Sequence, residues 1–243
     1  MKFEIRRYKE VESTNDVAKE LAMEGASEGT TVIAEKQTKG RGRYGKQWIS
    51  PEGGVYLSIV LRPKIDPEES PKITFIAGVA VAKAIRELYN IDAKIKWPND
   101  VLIREKKVCG ILTEIKVTDL VNFVILGIGI NANVKVEEFP REIREGATSL
   151  MKEVGKEIDI DKLIDKVLKN IEFYYSIFKK DGFDRILQEW SKLSATLWRK
   201  VRITTKSGTV EGTAIGIDKN GSLIVETSER KIERVIAGEC FHL

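Results

Sequence analysis

Between Pro71 and Tyr89, apolar residues fall at Ile73, Ile76, Ala77, Ala80, Val81, Ala84, Ile85 and Leu88, the three-and-four spacing of one helical face. Pro71 suits the first turn of such a helix, where its missing N–H is not needed. A stripe this apolar must be buried against another layer, and the flanking runs show which kind. Thr30 to Glu35 and Val55 to Leu61 precede it, and Ala93 to Trp97, Val108 to Lys116 and Asn122 to Ile130 follow. Each is short and rich in strand-forming residues, and the last two meet through Thr118-Asp119. In the second run Val55, Leu57, Ile59 and Leu61 share one face. Strands thus outnumber helices in the first half. The expected class is α+β, a mixed β-sheet with helices on one side and the 71–89 helix lying across it.

Ser13-Thr14-Asn15-Asp16 precedes apolar residues at Val17, Ala18, Leu21 and Ala22, the pattern of a helix that opens on a hydroxyl cap and stops at Gly25. Asp161 to Phe178 and Phe183 to Leu193 carry helical spacing and are separated by Asp181-Gly182, so two helices are expected to close the first unit. The composition then changes to short β-rich runs at Val201 to Thr205, Thr209 to Ile217 and Leu223 to Thr227, with a last strand near Val235. Ser207-Gly208 and Asn220-Gly221 mark hairpin turns, and the tail reads as a small β-barrel. The expected division is residues 1–195 and 196–243, which a chain of 243 residues can accommodate.

Composition removes several function classes. No apolar run is long enough to cross a bilayer and no secretory pattern opens the chain, so a soluble, cytoplasmic protein without membrane association is expected. The 41 Lys and Arg against 37 Asp and Glu leave a formal charge of +4, mild for a dedicated nucleic-acid binder. Cys109 and Cys240 are the only cysteines, which gives neither a disulfide framework nor a Cys-rich zinc site. The single histidine, His242, stands beside the C-terminus, where chains fray, so Ser-His-Asp or Cys-His catalysis lacks a well-held base.

Chemistry concentrates in Gly40 to Trp48, GRGRYGKQW. Gly40, Gly42 and Gly45 let backbone N–H groups approach an anion, while Lys39, Arg41, Arg43 and Lys46 surround it with positive charge. The stretch is neither a P-loop nor a dinucleotide fingerprint, because GxxxxGK[ST] is absent and no GxGxxG opens a helix directly after a strand. Taken alone it also fits a solvated loop with incidental charge.

Three further motifs follow in order: KWPND at Lys96 to Asp100, KVCGILTE at Lys107 to Glu114, and GIGIN at Gly127 to Asn131. With GRGRYGKQW and Gln37 ahead of it, they resemble the biotin protein ligase family over essentially the whole first domain. The β-rich tail resembles that family's SH3-like barrel. The resemblance implies a catalytic domain of the class II aminoacyl-tRNA synthetase-like kind and a two-step reaction. Biotin and Mg-ATP give biotinoyl-adenylate and pyrophosphate, then a lysine of a biotin carboxyl carrier protein attacks the mixed anhydride. ATP and Mg2+ are the implied cofactors, with no metal-ligand residues singled out. The resemblance further implies biotin binding by Ser13, Thr14, Asn15, Gln37, Gly40, Arg41, Gly42, Arg43, Lys107 and Gly110. Adenylate binding falls to Arg41, Arg43, Trp48, Asn99, Lys107 and Asn131, and catalysis to Arg41, Lys107 and Asp100.

The residue types suit those roles. Attack of one anion on another needs fixed cations, which Arg41, Arg43 and Lys107 supply, although Lys107 by itself also reads as a hairpin surface charge. Trp48 offers an indole face that stacks on adenine when the loop closes, or else a core residue. Pro98 holds Trp97 extended and puts Asn99 and Asp100 at a strand end, where Asp100 reads as a base for the acceptor lysine or as a cap of its own turn. Gly127 and Gly129 let a ligand approach the backbone, and the Asn131 amide can read an adenine edge. Cys109 reads as a small buried strand residue.

The short stretch before Ser13 implies a monofunctional member without the N-terminal DNA-binding domain, hence no specific DNA target, and such members often form homodimers through a sheet edge. Two rival readings stay open. A lipoate-type acyl ligase shares the fold and the adenylate logic, and a nucleic-acid-binding module would use the basic loop, the β-rich tail and a pI of about 8.8.

Overall fold

Strand β1 (Glu4–Val11) leads into helix α1 (Thr14–Met23) and strand β2 (Thr30–Gln37) of the computed structural model, which describes residues 1–117 and 121–243. Strand β3 (Val55–Leu61) precedes helix α2 (Pro71–Tyr89), with the bounds its spacing predicts. Strands β4 (Ala93–Lys96), β5 (Asp100–Ile103), β6 (Lys106–Val117) and β7 (Val121–Ile130) follow. The expected link at Thr118-Asp119 lies outside the described residues. These strands form one sheet in the order β1-β2-β3-β7-β6-β5-β4, with β1 parallel to β2 and the other pairs antiparallel.

The sheet is covered on both faces, not on one as expected. Ile33, Leu57, Ile59, Val124 and Leu126 join the main core beneath α2, while Val32, Val60, Phe123 and Ile125 form a second cluster with Ala18 and Ala22 of α1. Side chains alternate across a strand, so β2, β3 and β7 are apolar on both sides and need two covers. All seven residues of β3 are buried, where the alternating pattern singled out only one face. Helix α1 has ten residues, about 15 Å of length, and leaves the far part of its face open. That uncovered part becomes the cleft.

Two strands escaped the sequence. β1, reading EIRRYKEV, is an edge strand with mostly exposed residues; its charges discourage pairing with other chains and erase the alternation that would reveal it. β5 starts directly after the turn at Trp97-Pro98, whose peptide bond is cis. Ser13 occupies the cap position of α1 in extended conformation, but its hydroxyl makes no capping bond, contrary to expectation.

Two short helices, α3 (Arg141–Arg144) and α4 (Leu150–Val154), come before the expected long pair α5 (Ile160–Asp181) and α6 (Asp184–Leu193), which pack on α2. Asp159 caps α5 by accepting from the Lys162 N–H at 3.0 Å. Trp190 of α6 is wholly buried against Phe75 of α2, with ring centroids 5.0 Å apart. Among the described residues no helix is long and apolar enough to cross a membrane.

The tail is the five-stranded antiparallel sheet expected of an SH3-like module, built from β8 (Lys200–Thr205), β9 (Gly208–Ile217), β10 (Leu223–Glu226), β11 (Ile232–Val235) and β12 (Glu239–His242) in the order β11-β10-β9-β8-β12. Its end holds two strands where one was expected. β12 pairs with β8, and the His242 ring lies 3.2 Å from the Thr196 hydroxyl, so the C-terminus is held in the fold and not frayed. Burial, followed by the charge of Lys96, lowers the pKa of His242.

Trp97 ties the two sheets together. Its backbone N–H donates to Thr196 Oγ1 at 3.0 Å and its indole N–H to the Gly221 carbonyl at 3.1 Å. Gly221 has φ +84° and lies against Phe75, where a Cβ would stand 2.9 Å from the ring. These contacts set β12 at the mouth of the cleft.

Candidate functional site

The cleft floor is made by residues of β3, β6 and β7 that point away from α2. Gly110 pairs with Gly129 and Leu112 with Gly127 across the β6–β7 ladder, and Ser58 lies on neighbouring β3. The glycines leave room that other side chains fill. A Cβ on Gly127 would stand 2.2 Å from Asn15 Oδ1, and one on Gly129 would stand 2.3 Å from Trp48 Nε1.

At one end, the start of α1 meets the end of β2 in a hydrogen-bonded chain. Thr14 donates through its N–H at 2.8 Å and its hydroxyl at 3.0 Å to Gln37 Oε1. Gln37 donates to Ser50 Oγ at 2.9 Å, and Ser50 donates to the Trp48 carbonyl at 3.0 Å. Ser58 Oγ lies 2.8 Å from Thr14 Oγ1 and donates to Asn15 Oδ1 at 2.6 Å; the Asn15 amide in turn donates to Glu114 Oε2 at 2.6 Å. Ser13, Thr14 and Asn15 are all buried. Buried polar groups joined in this way hold one arrangement, because any broken link leaves a partner unsatisfied.

Residues 40–48 fold over the cleft as a narrow hairpin. Gly42 N–H donates to the Lys46 carbonyl at 2.7 Å, and Trp48 N–H to that of Gly40 at 2.9 Å. At the tip Tyr44 and Gly45 have φ of 57° and 74°, values that tighten the turn. Arg41 Nη1 lies 2.6 Å from both Asp16 oxygens, and Nη2 lies 3.0 Å from Glu114 Oε2. Its bond to Asp16 raises the pKa of an already strong base, against the opposing effect of burial. Arg43 reaches Tyr44 Oη at 2.9 Å, the Gly238 carbonyl at 3.3 Å and Asn99 Oδ1 at 3.4 Å, and Lys46 pairs with Glu239.

The other end of the cleft is polar and more fixed. Lys107 Nζ stands 2.7 Å from Asp100 Oδ1 and 5.3 Å from the centroid of the Trp48 ring. Lys107 is therefore no loose hairpin charge, and Asp100 is committed to an ion pair, which neither of its two sequence readings contained. Asn99 Nδ2 donates to the Ile111 carbonyl at 2.8 Å, locking the KWPND turn to β6. Asn131 donates from Nδ2 to the Thr148 carbonyl at 3.0 Å, while its buried Oδ1 has no partner. Trp48 Nε1 is likewise buried and unpartnered. Orphaned groups in a cleft are positions where a ligand can complete the hydrogen bonding.

Every residue assigned from the resemblance to biotin binding, adenylate binding or catalysis lines this cleft except Gly40, which sits behind the hairpin root; of the basic, Gly-rich stretch, Lys39 and Gly45 also lie outside it, Lys39 pairing with Glu12. A Cβ on Gly40 would stand 2.5 Å from the Trp48 carbonyl, so its contribution is conformational. Sequence reasoning missed Ser58, whose small polar side chain interrupts an apolar strand; it read Asp16 only as an acid at the start of a helix and gave no role to Glu114, the last residue of KVCGILTE. It also missed Gly238 to Phe241 of the tail, which line the mouth. No signal near those residues points to the hairpin.

Cys109 is fully buried, and burial pushes its thiol far up despite the nearby Lys107 charge. Burial also pushes the Cys240 thiol up, to about 11. Thiolate at Cys240 is then about one part in a thousand at pH 8. Neither thiol should react readily with a disulfide reagent at pH 8 in the folded protein, and two equivalents should appear on denaturation; fast labelling of the folded chain would contradict this.

The biotin/lipoate A/B protein ligase family model matches residues 8–131, and that of the biotin protein ligase C terminal domain matches residues 199–243. Over 219 residues the chain is 44% identical to the bifunctional ligase/repressor BirA of Bacillus subtilis, covering 89% of this chain and 67% of that protein. It is 32% identical over 238 residues to the biotin--[acetyl-CoA-carboxylase] ligase of Mycobacterium tuberculosis, covering 95% and 86%. The solved structure of the biotin protein ligase from Aquifex aeolicus in complex with biotin and ATP matches with a TM-score of 0.85 at 34% identity, over 98% of each chain. A catalytic sheet carrying this cleft, an SH3-like tail and relatives alike over nearly the full chain lead to one assignment: the chain belongs to the biotin/lipoate A/B protein ligase family, among its biotin protein ligases.

Proposed function

We propose that this chain activates biotin with ATP and transfers the biotinoyl group to a lysine of a biotin carboxyl carrier protein. In the first step a biotin carboxylate oxygen attacks the α-phosphorus of ATP, and the bond to pyrophosphate breaks. In the second the acceptor amine attacks the acyl carbon, loses a proton, and AMP departs.

The observation that carries this reading is the meeting, on one glycine-floored cleft, of a buried hydrogen-bonding pocket with three cationic side chains. Ser13, Thr14, Asn15 and Gln37 offer both donors and acceptors, which suits a ureido ring with one carbonyl and two N–H groups. Gly42 and Gly110 keep the walls thin where the acyl chain passes, with Gly40 shaping the root of the lid. Arg41, Arg43 and Lys107 face the junction of carboxylate and α-phosphate, where negative charge builds during attack. Trp48 provides a flat face for adenine, Asn99 lies beside the nucleotide, and the free Oδ1 of Asn131 can accept from an adenine amino group. Asp100 orients Lys107 through their ion pair and takes the proton of the acceptor amine.

Mg2+ enters as the ATP complex, held chiefly by phosphate oxygens; among the described residues no group of three or more His, Cys, Asp or Glu is clustered to hold a metal. The catalytic unit spans residues 1–195 and the tail 196–243. A cytoplasmic reaction fits its need for ATP. Pairing of two copies would go through an edge of the first unit's sheet, whose outermost strands are β1 and β4.

The test is label exchange from pyrophosphate into ATP in the presence of biotin or lipoate. Biotin-dependent exchange is expected. Exchange with lipoate alone would overturn the assignment of the acid.

A further inference from the structure

The lid touches both units of the chain. Its root is held on the first unit, where Arg41 pairs with Asp16 and Glu114. Its tip rests on the tail, where Arg43 donates to the Gly238 carbonyl at 3.3 Å and Lys46 pairs with Glu239. The landing place is rigid. A Cβ on Gly238 would stand 2.6 Å from Ile203 Cγ2 and 2.9 Å from the Thr204 carbonyl, so the segment leading into β12 lies tight on β8. Trp97, through Thr196 and Gly221, fixes the tail to the sheet that carries Asn99 and Asp100. On the first unit, among the described residues, the tip has only the 3.4 Å contact of Arg43 with Asn99 Oδ1 as a side-chain bond.

We propose that Glu239 and the Gly238 carbonyl form a latch that keeps the lid closed on the acyl-adenylate, making retention of that intermediate a joint property of both units. This rests on the reaction proposed above. A mixed anhydride awaiting a protein acceptor is lost if it dissociates or meets water, so a held lid protects it. Glu239 is a positioning residue that acts through Lys46 and need not touch the reacting atoms. Their ion pair is exposed, so its effect is modest and falls with salt.

The experiment uses the full chain loaded with radiolabelled biotin and ATP in the presence of pyrophosphatase, freed of excess nucleotide and chased with unlabelled biotin. Release of labelled adenylate is followed for the wild type, Glu239→Lys, Lys46→Glu and the double charge swap. At low salt Glu239→Lys should release label about three- to fivefold faster, the double swap should return toward the wild-type rate, and the difference should vanish at ~1 M salt. An unchanged rate in Glu239→Lys, or a double swap no slower than the single variants, overturns the latch while leaving the reaction standing. A wild type that forms no labelled adenylate overturns the reaction and the latch with it.

Discussion

Replacing Lys107 with alanine should slow biotinoyl-adenylate formation by about a hundred- to a thousandfold, the usual loss when one fixed donor to a developing charge is removed from a closed site. Lys107 is well placed for such an effect. Its backbone is pinned on both sides, by N–H donation to the Gly146 carbonyl at 2.7 Å and by acceptance from Thr148 N–H at 2.9 Å, and Asp100 aims its ammonium group. The variant also strands the Asp100 carboxylate, so a lost rate has two possible origins. Lys107→Ala combined with Asp100→Asn separates them: a missing cation leaves the double variant slow, whereas a stranded charge would let it recover. Single-turnover formation of labelled adenylate reads the outcome. A single variant within threefold of wild type would remove Lys107 from the chemistry.

Gly129→Ala should lower kcat/KM for ATP by about ten- to a hundredfold, the scale of loss from a displacement near 1 Å in an active site. Its new methyl group would stand 2.3 Å from Trp48 Nε1 and 2.6 Å from Cε2, closer than carbon atoms approach. The obstructed group is a lid side chain, which can move, so the sheet survives and the adenine platform is displaced. Gly110 faces the same indole across the ladder, but a Cβ there stays 3.0 Å from Cζ3 and 3.3 Å from the Lys107 chain. Gly110→Ala should therefore cost severalfold less. ATP titrations of the exchange reaction, with thermal unfolding as a control for the fold, test the order. Equal or reversed losses would show that the glycine floor does not position Trp48.

Much of this protein was legible along the chain. Helix α2 announced itself because nineteen consecutive residues share one periodicity, and the tail because two Gly-containing turns punctuate short β-rich runs. The lid was readable because glycine and arginine alternate within nine residues. Edge strand β1 was silent, since charges that protect an edge also remove the pattern. The second cover of the sheet was equally hidden. Apolar residues on both faces of β3 show only that both are buried, and the identity of the cover depends on where α1 lands.

The site divides in the same way. Residue chemistry and short-range spacing determined which groups are available: glycines that leave a floor bare, cations for an anion, an indole on a loop. Which of them meet was a tertiary decision. Ser58 gains its role only when β3 passes beneath the start of α1, 43 residues away from Asn15 in the chain. Asp100 became the partner of Lys107 through the β5–β6 hairpin, an arrangement outside both of its sequence readings. Lys46 and Glu239 lie 193 residues apart, and only the docking of the tail through Trp97 brings them together. Local sequence can dictate conformation over a few residues, because the forces that set it act between near neighbours. Strand register and domain docking are set by surfaces formed after folding, so the partners of a cleft belong to the tertiary structure.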